Sequence, residues 1–376
     1  MLLFASLFTN ALGQAPPCQI LEKYRNIEKF EGEGLDSSPD GSVLYGQVSK
    51  TGEIKAWDSQ TGRLINVLRP DSDDSFAPLS DIKVNMDGRL VAARTRRRET
   101  VWIGETQSGR KVSEFLTPPF GVSSTMHLSP GGEVLLIGDF DKGAALWNVS
   151  TGRLISKLEP SDAQYPPGRL FNFSKAAFNR DGSLLAVAYY AHIFLWDGRS
   201  GKPIKRIYTT AQENGKTIHF SNRSSIYDLE FSPDGFLLAS GGRDWTTQLW
   251  EVGSGKLRAS LKQGDRVFMV RFSPDGKYLA TVSYDDKLIN IWDTSNGRLL
   301  YSVKGSKSSP FSITFSKPEV GIIAIPLKNS VEFRKIESGQ LIENCKGIFG
   351  SFLPGGEVFL SSNDQRTLTS SKVNPK

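Results

Sequence analysis

Only three histidines are present, His127, His192 and His219, so any histidine-dependent triad must be built around one of them. Two cysteines, Cys18 and Cys345, are too few for a cysteine-based zinc module, and a His-rich metal site cannot be assembled from this stock. No Gly-x-Ser-x-Gly elbow surrounds a candidate nucleophile, and no phosphate- or dinucleotide-binding glycine pattern occurs. What remains is the chemistry of recognition. Arg94-Thr95-Arg96-Arg97-Arg98 is the densest charge run; it suits an acidic partner, a phosphate or polysaccharide carboxylates, and the plainer reading is a solvated edge loop. Asp71, Asp73 and Asp74 could pair with it or bind calcium, although a full ligand loop with its closing Glu is missing.

The elements that must position these groups belong to an ordinary globular chain. Of 376 residues, 38% are hydrophobic and 36 are glycine, which excludes global disorder, collagen and a polytopic membrane protein. The net charge of +6 is mild over this length and does not by itself imply nucleic acid. Residues 1–17 stand apart. Leu2 to Phe8 is a short apolar run, followed by small residues at Ala11, Gly13 and Ala15 and then by Pro16-Pro17. This pattern reads as a secretory leader, although no Lys or Arg precedes Lys23. Export to a periplasmic or secreted location is the expectation, or a cytoplasmic one if the leader is not a signal. No later stretch reaches the ~18 apolar residues of a membrane span.

Internal repetition organises residues 18–376. A Ser-Pro-Asp-Gly turn appears at Ser38–Gly41, Ser232–Gly235 and Ser273–Gly276. Weaker copies lie at Asn85–Gly88, Ser129–Gly132, Asn179–Gly182 and Leu353–Gly356, with a degenerate one at Ser316–Glu319. Pro fixes φ and Gly accepts positive φ, so this tetrapeptide closes a tight turn. An alternating apolar strand follows each turn, then a second strand ending in an aromatic: Trp57, Trp102, Trp147, Trp196, Trp250, Trp292, and Phe333 in the seventh copy. A second turn comes next, with its glycine usually five residues past the Trp, as in Thr61-Gly62 and Thr151-Gly152. Four strands per unit, at 42–54 residues per unit, make the blade of a propeller. The expected fold is all-β: a single propeller of eight four-stranded blades, seven being the alternative count. The eighth unit stops after its third strand, so a strand from within Gln19 to Phe30 is expected to complete it and close the ring.

These units resemble the WD-repeat β-propeller family. Trp57-Asp58, Trp196-Asp197 and Trp292-Asp293 carry the dipeptide itself. The resemblance implies that an Asp six residues before the Trp holds the loop between the second and third strands; Asp141, Asp244 and Asp286 match, whereas Thr51, Arg96 and Tyr190 stand at that position elsewhere. The family's Gly-His pair before the first strand is absent. The blades therefore look like those of a bacterial-type or otherwise divergent member.

Insertions concentrate in the connections from one blade to the next, residues 69–80, 159–173 and 208–226, which open on one rim. They carry Phe76, Tyr165, Phe171, Phe173, Tyr208, His219 and Phe220, and Trp245 joins them from a neighbouring loop. With Arg94, Arg96, Arg97 and Arg98, these residues form the expected binding face for a protein or peptide partner. Charged residues five positions before the turn glycine, Asp36, Lys83, Glu230 and Arg271 with His127 in register, suggest a mutually paired ring near the channel. A Cys18–Cys345 disulfide is an open alternative, opposed by the two residues' expected places at opposite rims. The expected function is a non-enzymatic interaction scaffold without metal or cofactor. The rivals are an exported propeller enzyme of quinoprotein, lactonase or cyclase type, and a polyanion-binding propeller. A quinoprotein is disfavoured because Asn66, Ser156, Lys205, Ala259 and Tyr301 stand where that family has Trp.

Overall fold

The computed structural model describes residues 33–376 apart from 39–40, 49–51, 60, 62, 71–78, 96–99, 118–124, 141–142, 161–172, 190–191, 208–209, 214–215, 220–224, 306–312, 317, 319–320, 328–329, 347, 353–356, 362–367 and 373–376. Among the described residues there is no helix. The strands form seven four-stranded antiparallel sheets, an eighth of three strands, and one separate two-stranded hairpin.

Blade 6 shows how the sequence builds each sheet. Its strands are Val267–Phe272, Tyr278–Ser283, Leu288–Asp293 and Leu299–Lys304, paired in chain order. The first turn is closed by the Gly276 amide on the Ser273 carbonyl at 2.8 Å, while Asp275 accepts from the Lys277 amide at 3.1 Å. The second is closed by the Gly297 amide on the Asp293 carbonyl at 2.8 Å, and the Asp293 carboxylate accepts from the Ser295 amide at 2.8 Å. Both glycines adopt left-handed φ of +71°, where a Cβ would be strained.

Successive sheets stack around an axis through their first strands. Those inner strands are Glu33–Ser37, Leu79–Val84, Thr125–Leu128, Phe173–Phe178, Ile226–Phe231, Val267–Phe272, Thr314–Phe315 and Ile348–Phe352. The inner strand of blade 8 lies beside that of blade 1, so the ring returns on itself. Blade 8 has three described strands, Ile348–Phe352, Glu357–Ser361 and Leu368–Lys372; the expected closing strand within 19–30 lies outside the described residues, as do the leader and Cys18. Cys345 is described only through its backbone, opposite Val331.

Second and third strands are buried on both faces, as in Val134–Asp139, whereas the outer strands alternate with solvent, as in Lys111–Leu116. One hydrophobic core therefore forms at each blade junction. Leu136, Leu146 and Leu158 of blade 3 meet Phe173, Val187 and Trp196 of blade 4, and Leu249 and Leu261 of blade 5 meet Val270, Leu279 and Trp292 of blade 6. All six repeat tryptophans are buried.

Two aromatic assignments need correction. In blades 1, 3, 4, 5 and 6 the Trp faces Leu44, Leu135, Leu185, Leu238 and Leu279 respectively. In blade 2 the equivalent residue, Val91, faces Gly104; Trp102 sits two residues earlier, opposite Ala93. A Cβ on Gly104 would meet the Trp102 ring at 2.0 Å. The indole thus lies over its own neighbour on the same strand face and fills the vacant Trp site, which only a glycine permits. In blade 7 the position falls to Arg334, opposite Ile323, and Phe333 packs on the other face. Arg334 fills its site with polar contacts, to Glu332 at 2.8 Å and to the Gly339 carbonyl at 2.7 Å.

Candidate interaction surfaces

Antiparallel order places the two repeated turns on one rim, here called lower. The second-to-third-strand loops and the blade-to-blade connections lie on the other, upper rim. Upper-rim loops are stitched by backbone bonds from the Gln263 amide to the Trp245 carbonyl at 2.8 Å, and from Tyr284 to Arg266 at 2.8 Å.

Trp245 is the most informative upper-rim residue. It is 57% exposed and holds a left-handed φ of 65°. Gly52 and Gly143 take left-handed conformations in the equivalent loops of blades 1 and 3, and Lys287 does so in blade 6. A bulky residue pays about 1–2 kcal/mol for this conformation. The loop is held by Asp244, which accepts from the Thr246 amide at 3.3 Å; burial pushes its carboxyl pKa up. Asp286 does the same for blade 6, accepting from the Leu288 amide at 3.0 Å and from the Ser283 hydroxyl. Beside it, Tyr284 lies under the Arg266 guanidinium at 4.8 Å and the Lys287 ammonium at 4.5 Å, with Phe268 at 5.7 Å. Arg266 also pairs with Asp285 at 2.5 Å.

Of the other expected rim residues, Phe76, Arg96, Arg97, Arg98, Tyr165, Phe171, Tyr208 and Phe220 lie outside the described residues, as does Asp141. His219 ends a strand, Lys216–His219, paired with Thr210–Glu213; this hairpin is the extra two-stranded sheet in the connection to blade 5. Arg94 is corrected: it belongs to the second strand of blade 2, Leu90–Thr95, and is only 9% exposed, because that strand is covered on both faces by the neighbouring blades. Phe173 likewise starts the inner strand of blade 4 and is buried. His192 accepts from Arg206 at 2.7 Å at the upper-rim end of the third strand of blade 4, opposite Tyr189.

The channel wall holds a polar network of a more specific kind than mixed pairing. Carboxylates on one inner strand accept backbone N–H groups of the next. Asp81 takes the Met126 amide at 3.0 Å, Asp228 takes Val270 at 3.1 Å, and Glu230 takes Phe272 at 2.6 Å. Asp228 is also bound by Arg271 at 2.6 Å and Lys175 at 3.2 Å, and Lys83 by Asp81 at 2.9 Å. Burial opposes the ionisation of Asp228, but the charges of Arg271 and Lys175 outweigh it and hold its pKa below the usual carboxylate range. Burial dominates at Glu230 and pushes its pKa up to about 7, against the pull of Arg271. His127 is pushed down to about 3 by burial, then by Lys175 and Lys83.

The lower rim carries a furrow that the sequence reading did not anticipate. One groove of about 520 Å³ runs between the turns of blades 5 and 6, past Phe236, Arg258 and Asp293. A second, of about 470 Å³, continues between blades 6 and 7, and Tyr278 lines both. Phe236 is 73% exposed. Its signal was visible: it follows the turn glycine where other copies have Ser42, Arg89, Glu133, Ser183 and Lys277. Among the described residues no group of acidic, His or Cys side chains could hold a metal ion. None of their helices could cross a membrane, since there are none.

Eight sheets ringed around their first strands, with Trp-bearing third strands, define a β-propeller of WD-type blades. The family comparison agrees: the model for the WD domain, G-beta repeat, matches residues 215–251 and 255–293, so the chain carries WD40 repeats. It is 28% identical to periodic tryptophan protein 2 of Arabidopsis thaliana over 214 residues, covering 48% of this chain and 23% of that protein. It is 23% identical to nuclear distribution protein nudF of Aspergillus niger over 300 residues, 76% of this chain and 64% of that one. It is 31% identical to small ribosomal subunit protein RACK1 of Caenorhabditis elegans over 104 residues, 28% of this chain and 31% of that one. The chain thus spans less than two thirds of each of these relatives. Among solved structures, the C-terminal WD40 domain of Sif2 superposes with a TM-score of 0.68 at 15% identity, covering 96% of this chain and 99% of that one.

Proposed function

We propose that this protein is a non-enzymatic interaction scaffold. A protein or peptide partner docks on the upper rim over blades 5 and 6, with Trp245 as its anchor. The single supporting observation is Trp245 itself. A large aromatic held exposed, in a backbone conformation that Gly52 and Gly143 adopt without strain, costs the fold stability and gives it no core. Exposed Trp with Arg and Tyr is the composition of an interface hot spot, and the stacked Arg266–Tyr284 pair lies on the same rim in blade 6. WD-repeat relatives fit a scaffold of this kind. The remaining long-loop residues, Phe76, Tyr165, Phe171, Tyr208, His219 and Phe220, extend the same proposed face.

The test is capture of partners by the wild type and by Trp245→Gly, quantified by mass spectrometry. The variant keeps the fold, because glycine relieves the left-handed strain. The principal partner is expected to fall about thirtyfold in affinity, the loss of one hot spot. Undiminished capture would remove Trp245 from the interface. A stoichiometric chromophore or metal in the purified protein would overturn the scaffold reading in favour of a propeller enzyme.

A further inference from the structure

Counting back from each blade's turn glycine puts the inner strands in a common register. Asp81, Thr125, Lys175, Asp228 and Met269 stand seven residues before Gly88, Gly132, Gly182, Gly235 and Gly276. Lys83, His127, Ala177, Glu230 and Arg271 stand five before. The amides that donate to these carboxylates, Met126, Val270 and Phe272, stand six or four before. These side chains reach from one blade toward the next: Asp81 from blade 2 to blade 3, Lys175 from blade 4 to Asp228 of blade 5, Asp228 and Glu230 from blade 5 to blade 6.

The junction of blades 3 and 4 differs from those of blades 2 with 3 and 5 with 6, where carboxylates bridge. Its two bridging positions are Thr125 and His127, which are neighbours on one strand face. Neither Thr125 Oγ1 nor His127 Nε2 has a hydrogen-bond partner among the described residues, and both atoms are shielded from solvent. Across the junction, Ala176 and Phe178 take the register positions of Val270 and Phe272, with no carboxylate from blade 3 to meet them. Lys83 and Lys175 flank the site on either side, with side chains 42% and 32% exposed. Buried polar atoms without partners are rare in folded proteins and call for an explanation. At the junctions of blades 2 with 3 and 5 with 6, the group meeting the next strand's amide is a carboxylate, from Asp81, Asp228 or Glu230.

We propose that the junction of blades 3 and 4 binds a small oxyanion, a carboxylate or a phosphate. It enters from the channel between the Lys83 and Lys175 side chains, which also pair with Asp81 and Asp228. It accepts hydrogen bonds from the Thr125 hydroxyl and the neutral His127 ring, and sits before the Ala176 amide as Asp228 sits before Val270. Two ammonium groups supply the charge. Burial first, and then the neighbouring lysines, disfavour an imidazolium at His127, and a bound anion offsets the lysines' part.

Three histidines make the measurement direct. In ¹H–¹³C spectra of the full chain, His127 is assigned by the resonance lost in His127→Gln. Inorganic phosphate and sodium acetate are titrated at fixed pH and ionic strength against sodium chloride. The expected result is a saturable shift of the His127 resonance that chloride does not produce, with about tenfold weaker binding in Lys175→Met, or in Lys83→Met should the first fail to fold. Tighter binding of phosphate identifies a phosphate ligand, and tighter binding of acetate a carboxylate. Thr125→Asp places a carboxylate in register with Asp81 and Asp228; it should fold, melt higher in chloride and lose the oxyanion effect. A His127 resonance that moves no more with phosphate or acetate than with chloride overturns the proposal. So does undiminished phosphate binding by Thr125→Asp.

Discussion

Blades 5 and 6 and blades 3 and 4 share strand register, turn chemistry and a buried Trp, yet they complete that Trp differently. In blade 5 the Trp250 indole donates to Ser240 at 2.9 Å, and in blade 6 Trp292 donates to Thr281 at 2.9 Å. Thr281 also accepts from Gln263 at 2.7 Å, and Gln263 accepts from Asn290 at 2.6 Å. In blades 3 and 4 the corresponding residues are Ile137 and Val187, and the indole nitrogens of Trp147 and Trp196 have no partner among the described residues. The two stretches matched by the WD family model span blades 5 and 6. The backbone therefore needs only the turns and the apolar alternation. The polar network is an addition that two blades have and two do without.

The comparison can be broken most forcefully at the tryptophans. Trp250→Ala and Trp196→Ala should each cost about 3–5 kcal/mol in denaturant unfolding, since both leave a large cavity at a blade junction. Trp250→Ala should cost more, because Ser240 also loses its donor. Equal losses would mean that the hydrogen bond contributes nothing.

Next in size is a pH effect confined to blade 5. The carboxyl pKa of Glu230 is raised on folding, from the ordinary 4.5 to about 7, so the native state favours the protonated form. Its ionisation therefore costs stability progressively as pH rises from about 4.5 to 7, to a limit of about 3 kcal/mol. Glu230→Gln should gain on the wild type across that window, measured as the difference in melting temperature at pH 5 and pH 8. A difference that does not change with pH would show that the carboxyl is solvated.

A smaller, signed pair sharpens the comparison. Thr281→Val strands the buried Trp292 donor and the partly buried Gln263 donor and should cost about 1–3 kcal/mol, whereas Val187→Thr gives Trp196 a partner and should stay within about 1 kcal/mol of wild type. The same sign for both would defeat the distinction between the blades. Smallest of all, Lys287→Gly relieves the left-handed φ of 55° and should stabilise blade 6 by about 1 kcal/mol or less, read as a small rise in melting temperature. A fall would mean that the Lys287 contact with Tyr284 outweighs the backbone strain.

Much of the fold was legible because turn chemistry is local. Ser273-Pro274-Asp275-Gly276 specifies its own bend, and the strands follow by alternation. The misassigned aromatics, Trp102 and Phe333, lie seven and six residues before Gly109 and Gly339 instead of five, so spacing held the signal while residue type obscured it. The channel was legible only as a row of charged positions. Which carboxylate meets which amide depends on residues 42 to 45 apart in the chain. The sequence-based rim could be placed in space only at Trp245 and, through its backbone, at His219, and Arg94 proved to be an interior residue.

The sequence by itself determined a ring of repeated four-stranded units, because Pro, Asp and Gly set backbone angles within four residues and period-two apolar residues set the pleat. Only the tertiary structure decided that Trp102 covers Gly104 and that Trp245 stands strained and exposed. It alone left Thr125 Oγ1 and His127 Nε2 without hydrogen-bond partners among the described residues, near Lys83 and Lys175. Those outcomes arise where two blades or two rim loops meet, and contacts between distant segments are fixed by packing rather than by local conformational preference.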